Sequence, residues 1–198
     1  PYVRGRERSR KAEDILAECR SLIESGTREI TLLGQNVNSY GKDLEENIDF
    51  SDLLEQICQI PGEFLIRFMT SHPSDAGKKL FDTMARNPKI AKQLHLPFQS
   101  GSSRVLKAMN RHYDREQYLE LVRYAKSVMP DLVLTSDVIV GFPGETEEEF
   151  EETLSLISQV GYDALFTFIF SPRAGTPAAA MEDPTPKDEK NRRFERLC

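Results

Sequence analysis

Residues 132–150 read LVLTSDVIVGFPGETEEEF, and the fold turns on them. The first part, LVLTSDVIVGF (132–142), is nearly all apolar, which suits a strand covered on both faces. Glycine and proline then break the run at GFPGET (141–146). Thr146-Glu147-Glu148-Glu149 has the spacing of a capping box and opens a helix carrying Phe150, Leu154, Ile157 and Val160 on one stripe. A strand that passes through a polar turn into an amphipathic helix is a βα unit, and the same pattern recurs on both sides of this one.

Downstream, ALFTFIF (164–170) is the next strand, and a Pro/Ala-rich connector, AGTPAAAMEDPTP (174–186), leads to a helix begun at KDEKNRRFERLC (187–198). Upstream, QLHLPF (93–98) is a short strand, followed by a helical turn over 102–109. A helix over 115–128 then places Tyr118, Leu121, Val122, Ala125 and Val128 on one face. FLIRFM (64–69) precedes a helix over 78–86. EITLLG (29–34) precedes one over 52–59, stopped by Pro61-Gly62. The first helix, 11–24, aligns Ile15, Leu16, Cys19, Leu22 and Ile23, with Gly26 placed for its C-terminal cap.

Repeated alternation of strand and helix predicts right-handed βαβ connections and a parallel α/β sheet. Every strand ends in a polar or Gly/Pro-rich cluster: GQNVNSYG (34–41), TSHPSD (70–75), HLPFQSGS (95–102), GFPGET (141–146) and SPRAGTP (171–177). An open sheet concentrates such clusters at one switch point. A run of them is the pattern of a barrel whose site lies at the strands' C-terminal mouth, so a barrel or a partial barrel is expected. The chain opens with a loop and a helix, so a strand is expected before Pro1.

Composition narrows the function. The 198 residues carry 26 Lys and Arg against 32 Asp and Glu, a net charge of −6, which excludes a globally basic nucleic-acid binder as the default. No apolar run approaches the roughly 18–20 residues of a membrane span. Cys19, Cys58 and Cys198 are odd in number and far apart, which is neither a disulfide framework nor a metal-ligand spacing; it points to a reducing, cytoplasmic setting. PYVRGRERSR (1–10) resembles neither a signal nor a transit peptide, and with no initial methionine the chain is expected to be a piece of something longer.

Each polar cluster admits two readings. Gln35 and Asn36 either end a strand in a left-handed loop or present amides to a ligand. His72 is a capping-turn residue or a catalytic one. Among His95, Gln99, Ser100 and Ser102, the last is a helix cap, whereas Gln99, at a strand end, is harder to explain without a ligand. Asp137 sits in an apolar strand, where an unpaired carboxylate is costly; it faces a ligand or meets a buried donor. Gly141 and Gly144 supply a turn that lets a flat ring approach the backbone. Arg4, Arg6, Arg8 and Arg10, with Lys11, are a solvated arm or a contact for RNA phosphate or another anion. The acidic run 147–152 is a solvated helix N-terminus. No glycine-rich phosphate loop, Ser/His/Asp triad or metal-ligand spacing is visible, and these readings alone end at a barrel enzyme of undefined chemistry.

PYVRGRERSR (1–10), LLGQNVNSYG (32–41), RFMTSHP (67–73), HLPFQSGSSRVLKAMNRHY (95–113), TSDVIVGFPGETEEEF (135–150) and FSPRAGTPAA (170–179) closely resemble the methylthiotransferases of the radical SAM superfamily. The resemblance is nearest to the branch that modifies an isopentenylated adenosine beside the tRNA anticodon. It implies a partial (β/α)6 TIM-like barrel over residues 1–183, lacking its first strand. Residues 184–198 would then be a connector and the start of a helix leading to a C-terminal RNA-binding domain. It implies S-adenosylmethionine and two [4Fe-4S] clusters in the full-length protein, with the ligands of the barrel's cluster in a C-x-x-x-C-x-x-C loop upstream of Pro1. None of the three cysteines present matches that loop, so this fragment by itself is expected to be inactive.

By motif position, Gly34, Gln35 and Asn36 stand where the family meets the methionyl amino group. Gln99 and Ser100 correspond to contacts with the ribose and methionyl end. Val140 and Gly141, with Phe170 and Ser171, would offer backbone edges to adenine, and Asp137 a polar contact inside the barrel. Arg4, Arg6, Arg8 and Arg10 become candidates for the RNA-facing rim. The implied partners are tRNA, bound weakly by the fragment alone, and an electron-donor protein, with no membrane. The competing readings are a methylthiotransferase acting on a ribosomal-protein aspartate and an inert barrel that serves as a scaffold or binding module.

Overall fold

The computed structural model describes residues 7–69 and 71–198. It divides into two compact units: residues 1–95 with 124–132, and residues 96–123 with 133–198.

The first unit contains α1 (Ala12–Glu24), β1 (Glu29–Leu32), a 3-10 turn (Val37–Ser39), α2 (Phe50–Cys58), β2 (Leu65–Phe68), α3 (Lys78–Arg86) and β3 (Gln93–His95). β1 and β2 are parallel, with Ile30 opposite Ile66 and Leu32 opposite Phe68. Ile90 adds a further parallel bridge to Ile66. Leu53, Leu54 and Ile57 of α2 and Phe81 and Met84 of α3 are buried with Ile66 and Ile90. The Phe50 ring meets Phe68 edge-on at 5.1 Å.

α2 starts two residues before the sequence suggests. Asp49 is its cap: its side chain accepts the Asp52 N–H while the Asp52 side chain accepts the Asp49 N–H. That reciprocal arrangement satisfies two amides that the first turn leaves without partners. β3 ends at His95 rather than continuing through 98, as expected where Pro97 has no N–H to give.

The second unit contains α4 (Ser103–Ala108), the first part of α5 (Arg115–Val128), β4 (Val133–Val140), α6 (Glu147–Val160), β5 (Ala164–Ile169), a 3-10 turn (Pro177–Ala180) and α7 (Lys187–Leu197). β4 and β5 are parallel, with Asp137 opposite Phe166 and Val140 opposite Ile169. Residues 96–99 run beside β4 on its other edge. The Leu96 N–H donates to Thr135 O at 2.9 Å, the Gln99 N–H to Asp137 O at 3.0 Å, and the Ile139 N–H returns to Gln99 O at 2.9 Å.

Burial along β4 alternates, with Leu134, Ser136, Val138 and Val140 fully enclosed and Thr135, Asp137 and Ile139 only half-buried. This corrects the expectation of a strand covered on both faces. On β5, Phe166 and Phe168 remain 54% and 50% exposed. The enclosed face holds a tyrosine network. Tyr118 donates to Leu96 O at 2.9 Å, and Tyr162 donates to Tyr118 at 2.9 Å. Ser136 donates to the same carbonyl at 2.7 Å and accepts the Phe98 N–H at 2.9 Å. These bonds satisfy the polar groups that would otherwise be stranded in an apolar core.

α6 begins with the capping box expected at Thr146 and Glu149, and ends on Gly161 in the left-handed conformation. Among the described residues no helix is long and apolar enough to cross a membrane.

Candidate functional site

In the first unit, the end of β1 and the loop after it border a cleft of about 730 Å³. Ile15, Cys19 and Leu22 of α1 form part of its apolar lining, and that helix buries only Ala12 and Cys19 fully. Gly34 and Gln35 lie exposed along it. Asn36 is committed to the loop itself: its Oδ1 accepts the Asn38 N–H at 3.3 Å, and its Nδ2 donates to Asp75 Oδ2 at 2.5 Å. Two polar clusters that are far apart in sequence, 34–41 and 70–75, are thus joined through one carboxylate. Lys42 also pairs with Asp75. The lysine and Asn36 hold that carboxyl below its ordinary range against the opposing effect of burial.

His72 takes the structural role: its Nδ1 accepts the Ser74 N–H at 3.3 Å, and its carbonyl accepts the Asp75 and Ala76 amides. Asn38, which the sequence does not single out, is buried with neither end of its amide hydrogen-bonded among the described residues. It borders a smaller cavity of about 110 Å³ with Asp49, Asp75 and Lys79. Its burial depends on tertiary packing, which no local signal reveals.

Of the four arginines, Arg4 and Arg6 lie outside the described residues. Arg8 and Arg10 are exposed beside the cleft. Arg10 is bound to Glu18 at 2.6 Å, so part of its charge is already answered by the protein.

In the second unit, Gln99 is the residue under most constraint. Its φ is +69°, a region that side-chain-bearing residues rarely occupy, and it is only 6% exposed. Both backbone groups are bonded to β4, while its side-chain amide makes no hydrogen bond among the described residues. Gln99 thus combines a backbone in a costly conformation with a side-chain amide for which the fold supplies no hydrogen bond among the described residues. Ser100 is fully buried, and its hydroxyl accepts the Ser102 N–H at 3.2 Å, beneath the turn. Ser102 caps α4, as the sequence suggests. Gly101 has no room for a side chain: a Cβ there would come within 2.4 Å of the Thr153 backbone.

Val140 and Gly141 are buried and Phe170 half-buried, whereas Ser171 is exposed. The Phe170 N–H donates to Val140 O at 2.8 Å, and the Phe142 and Phe170 rings meet edge-on at 5.1 Å. The two backbone segments assigned to adenine are therefore neighbours. Asp137 is half-buried on the same face of β4 as Thr135 and Ile139.

Gly141 has a second neighbour that its sequence does not reveal. Gly141 does lie at φ +70°, but the space its missing Cβ leaves is filled by the methylenes of Lys190, 2.7–2.8 Å from that position. On that side the glycine admits α7, not a ligand ring. Glu145, Lys190 and Arg193, which complete the turn's surroundings, were not singled out by sequence, because the partners lie about 48 residues apart.

The cysteines do not form a metal site. Among the described residues no three His, Cys, Asp or Glu side chains converge. Burial raises the Cys19 thiol and pushes Cys58 up to about 11, as for thiols enclosed among apolar side chains. The residues present do not fit an iron–sulfur cluster. Gln99 and the Val140–Gly141 and Phe170–Ser171 backbone are held together by hydrogen bonds to and from β4.

The sequence matches the Radical SAM superfamily over residues 1–157, and the chain belongs to that superfamily. Within it, the chain is 58% identical over 197 residues to the tRNA-2-methylthio-N(6)-dimethylallyladenosine synthase of Clostridium botulinum (strain Hall). It is 59% identical to the protein of the same name from Clostridium perfringens (strain SM101). Both alignments take in 100% of this chain and 44% of the relative, so the chain spans less than half the length of these relatives. In fold it is similar to coproporphyrinogen III oxidase from Escherichia coli, a radical SAM enzyme, with a TM-score of 0.67 at 18% identity over 94% of this chain and 44% of that one. It is also similar to methylornithine synthase, with a TM-score of 0.59 at 18% identity over 94% and 52% of the two chains. At such identities the likeness concerns the fold alone.

Proposed function

We propose that this chain is the cofactor-binding core of a methylthiotransferase that acts on an isopentenylated adenosine in tRNA. Identity of 58–59% along the whole chain to synthases of that name carries the reading. S-adenosylmethionine would supply the methyl group and, on taking up one electron from a reduced cluster, the radical chemistry when bound.

The chain's own residues would do the following. The Gln99 amide, in a residue only 6% exposed, would hydrogen-bond with the ribose and methionyl end. Because its backbone is bonded to β4 on both sides, the amide would be presented with little freedom left to lose. Val140 and Gly141, with Phe170 and Ser171, would border the adenine, and Asp137 would offer an acceptor on the half-buried face of β4. Gln35, exposed beside Gly34, would approach the methionyl amino group, while Asn36 anchors that loop through Asp75. Ser100 would act only by shaping the turn. In the full-length protein, iron–sulfur clusters would be held by residues outside this chain, and an electron-donor protein would reduce them in the cytoplasm. Residues 1–183 would form the barrel core and 184–198 the connector and helix beyond it.

The test is to supply the full-length protein, reconstituted with iron and sulfide under reducing conditions, with tRNA that carries dimethylallyladenosine. Mass spectrometry of the digested nucleosides should show a methylthio product that depends on S-adenosylmethionine. Modification of a ribosomal-protein aspartate with no change in the tRNA would replace this reading with its nearest competitor. No turnover of S-adenosylmethionine at all would support the inert scaffold.

A further inference from the structure

The turn 141–145 is gripped from two sides by basic side chains that the reading above leaves without a function. On one side Arg104 of α4 donates to Gly144 O at 2.6 Å and pairs with Glu149. On the other, α7 supplies Arg193 and Lys190. Arg193 Nη1 donates to Glu145 O at 3.0 Å and to Glu145 Oε2 at 3.3 Å. The same Oε2 accepts the Gly141 N–H at 2.7 Å. Glu145 Oε1 is buried without a hydrogen bond.

This pair is enclosed, with Arg193 6% and Glu145 0% exposed at the side chain. Burial pushes the Glu145 carboxyl up, and Arg193 and the Gly141 amide oppose that shift. Buried ion pairs are poor sources of stability, since two apolar groups of similar size commonly do as well. What this pair adds is direction. Glu145 Oε2 has one acceptable place, between a guanidinium and one particular amide, and that amide belongs to Gly141. Arg193 is itself held by Glu147 at 3.1 Å and Glu189 at 3.1 Å, so its own freedom is small. Lys190, paired with Asp183, lays its methylenes where a side chain at 141 would stand.

We propose that Arg193 is a positioning residue of the cofactor site: through Glu145 it sets the Gly141 backbone, so that α7 fixes the shape of the turn that meets adenine. The proposal rests on the reading that Val140–Gly141 borders S-adenosylmethionine. It makes the helix at the chain's C-terminal end a part of the cofactor site without touching the cofactor.

The experiment uses the full-length, cluster-loaded protein and its Arg193→Lys, Arg193→Gln and Glu145→Gln/Arg193→Gln variants. Glu195→Gln, on an exposed position of α7, is the control. The double variant removes both charges and so leaves no buried carboxylate unpaired, which keeps the fold accessible if Arg193→Gln alone loses it. Two quantities are read: the dissociation constant for S-adenosylmethionine and, without it, hydrogen exchange at the Gly141 amide. Arg193→Gln and the double variant should weaken binding about tenfold, or ~1.4 kcal/mol, and should speed Gly141 exchange. Arg193→Lys should fall between them and the parent in both, and Glu195→Gln should match the parent. Folded variants with parental affinity and parental Gly141 exchange overturn the proposal. Faster exchange with unchanged affinity also overturns it, because the pair would then shape a turn the cofactor does not feel. A parent protein that fails to bind S-adenosylmethionine overturns the underlying reading of the site, and this proposal with it.

Discussion

At position 99 the physical demand on the backbone and the chemical use of the side chain can be separated. A left-handed conformation costs a residue with a Cβ about 1–2 kcal/mol, which glycine escapes. Gln99→Gly should therefore be more stable than Gln99→Ala by about 1 kcal/mol in urea unfolding, since alanine keeps the strain without the amide. Both should weaken S-adenosylmethionine binding. If Gln99→Gly binds as the parent does, the amide is not a ligand contact and the strain serves only the chain's path. Asn36 shows the converse: a polar residue that looks available in the sequence has both ends of its side chain used within the loop.

Elements here dock through positions where a single group decides the fit. α6 lies against Gly101, whose N–H donates to Thr153 Oγ1 at 2.9 Å. Gly101→Ala would drive a methyl into the Thr153 backbone, which cannot swing aside as a side chain can. The loss should be at least about 2 kcal/mol, read as a lowered urea midpoint; a variant within 0.5 kcal/mol or so of the parent would show that α6 shifts freely. At its start, α6 is tied to Arg104 through Glu149. That guanidinium holds the Glu149 carboxyl down at about 2, from an ordinary value of 4.5. A folded-state value below the unfolded one means that the ionised form favours the fold. The contribution is complete above pH 4.5 and disappears as pH falls towards 2. Acid titration of stability should show a decline over that window that Glu149→Gln makes shallower, with the part due to Glu189, Asp52 and Asp75 remaining. An identical decline in the variant would place the acid sensitivity elsewhere.

Over the whole molecule, charge sets the expectation for RNA. With a net charge of −6 and Arg10 already bound to Glu18, this chain by itself should bind tRNA no tighter than about micromolar at physiological salt. Tighter, saturable binding in a filter or fluorescence assay would show that the residues described here form a complete RNA surface.

Most of the fold is legible in the sequence because each βα unit states its own boundaries: the apolar run of β4, the capping box at Thr146 and the glycine at 26 all act within a few residues of themselves. The strand ends carrying Gln35, Gln99 and Gly141 are legible for the same reason, as the places where apolar periodicity gives way to polar and glycine-rich turns. Which of those polar groups is free, and which is consumed, is another matter. Asn36 meets Asp75, Gly101 meets Thr153, and Glu145 meets Arg193 across 39, 52 and 48 positions of chain. Such pairings are invisible to local pattern, because a hydrogen bond depends on distance in space and is blind to separation along the chain. The sequence by itself therefore determined the order and kind of elements and where the polar and glycine-rich turns at the strand ends fall. Only the tertiary structure decided which side chains are left for a ligand, because that depends on what each one already touches.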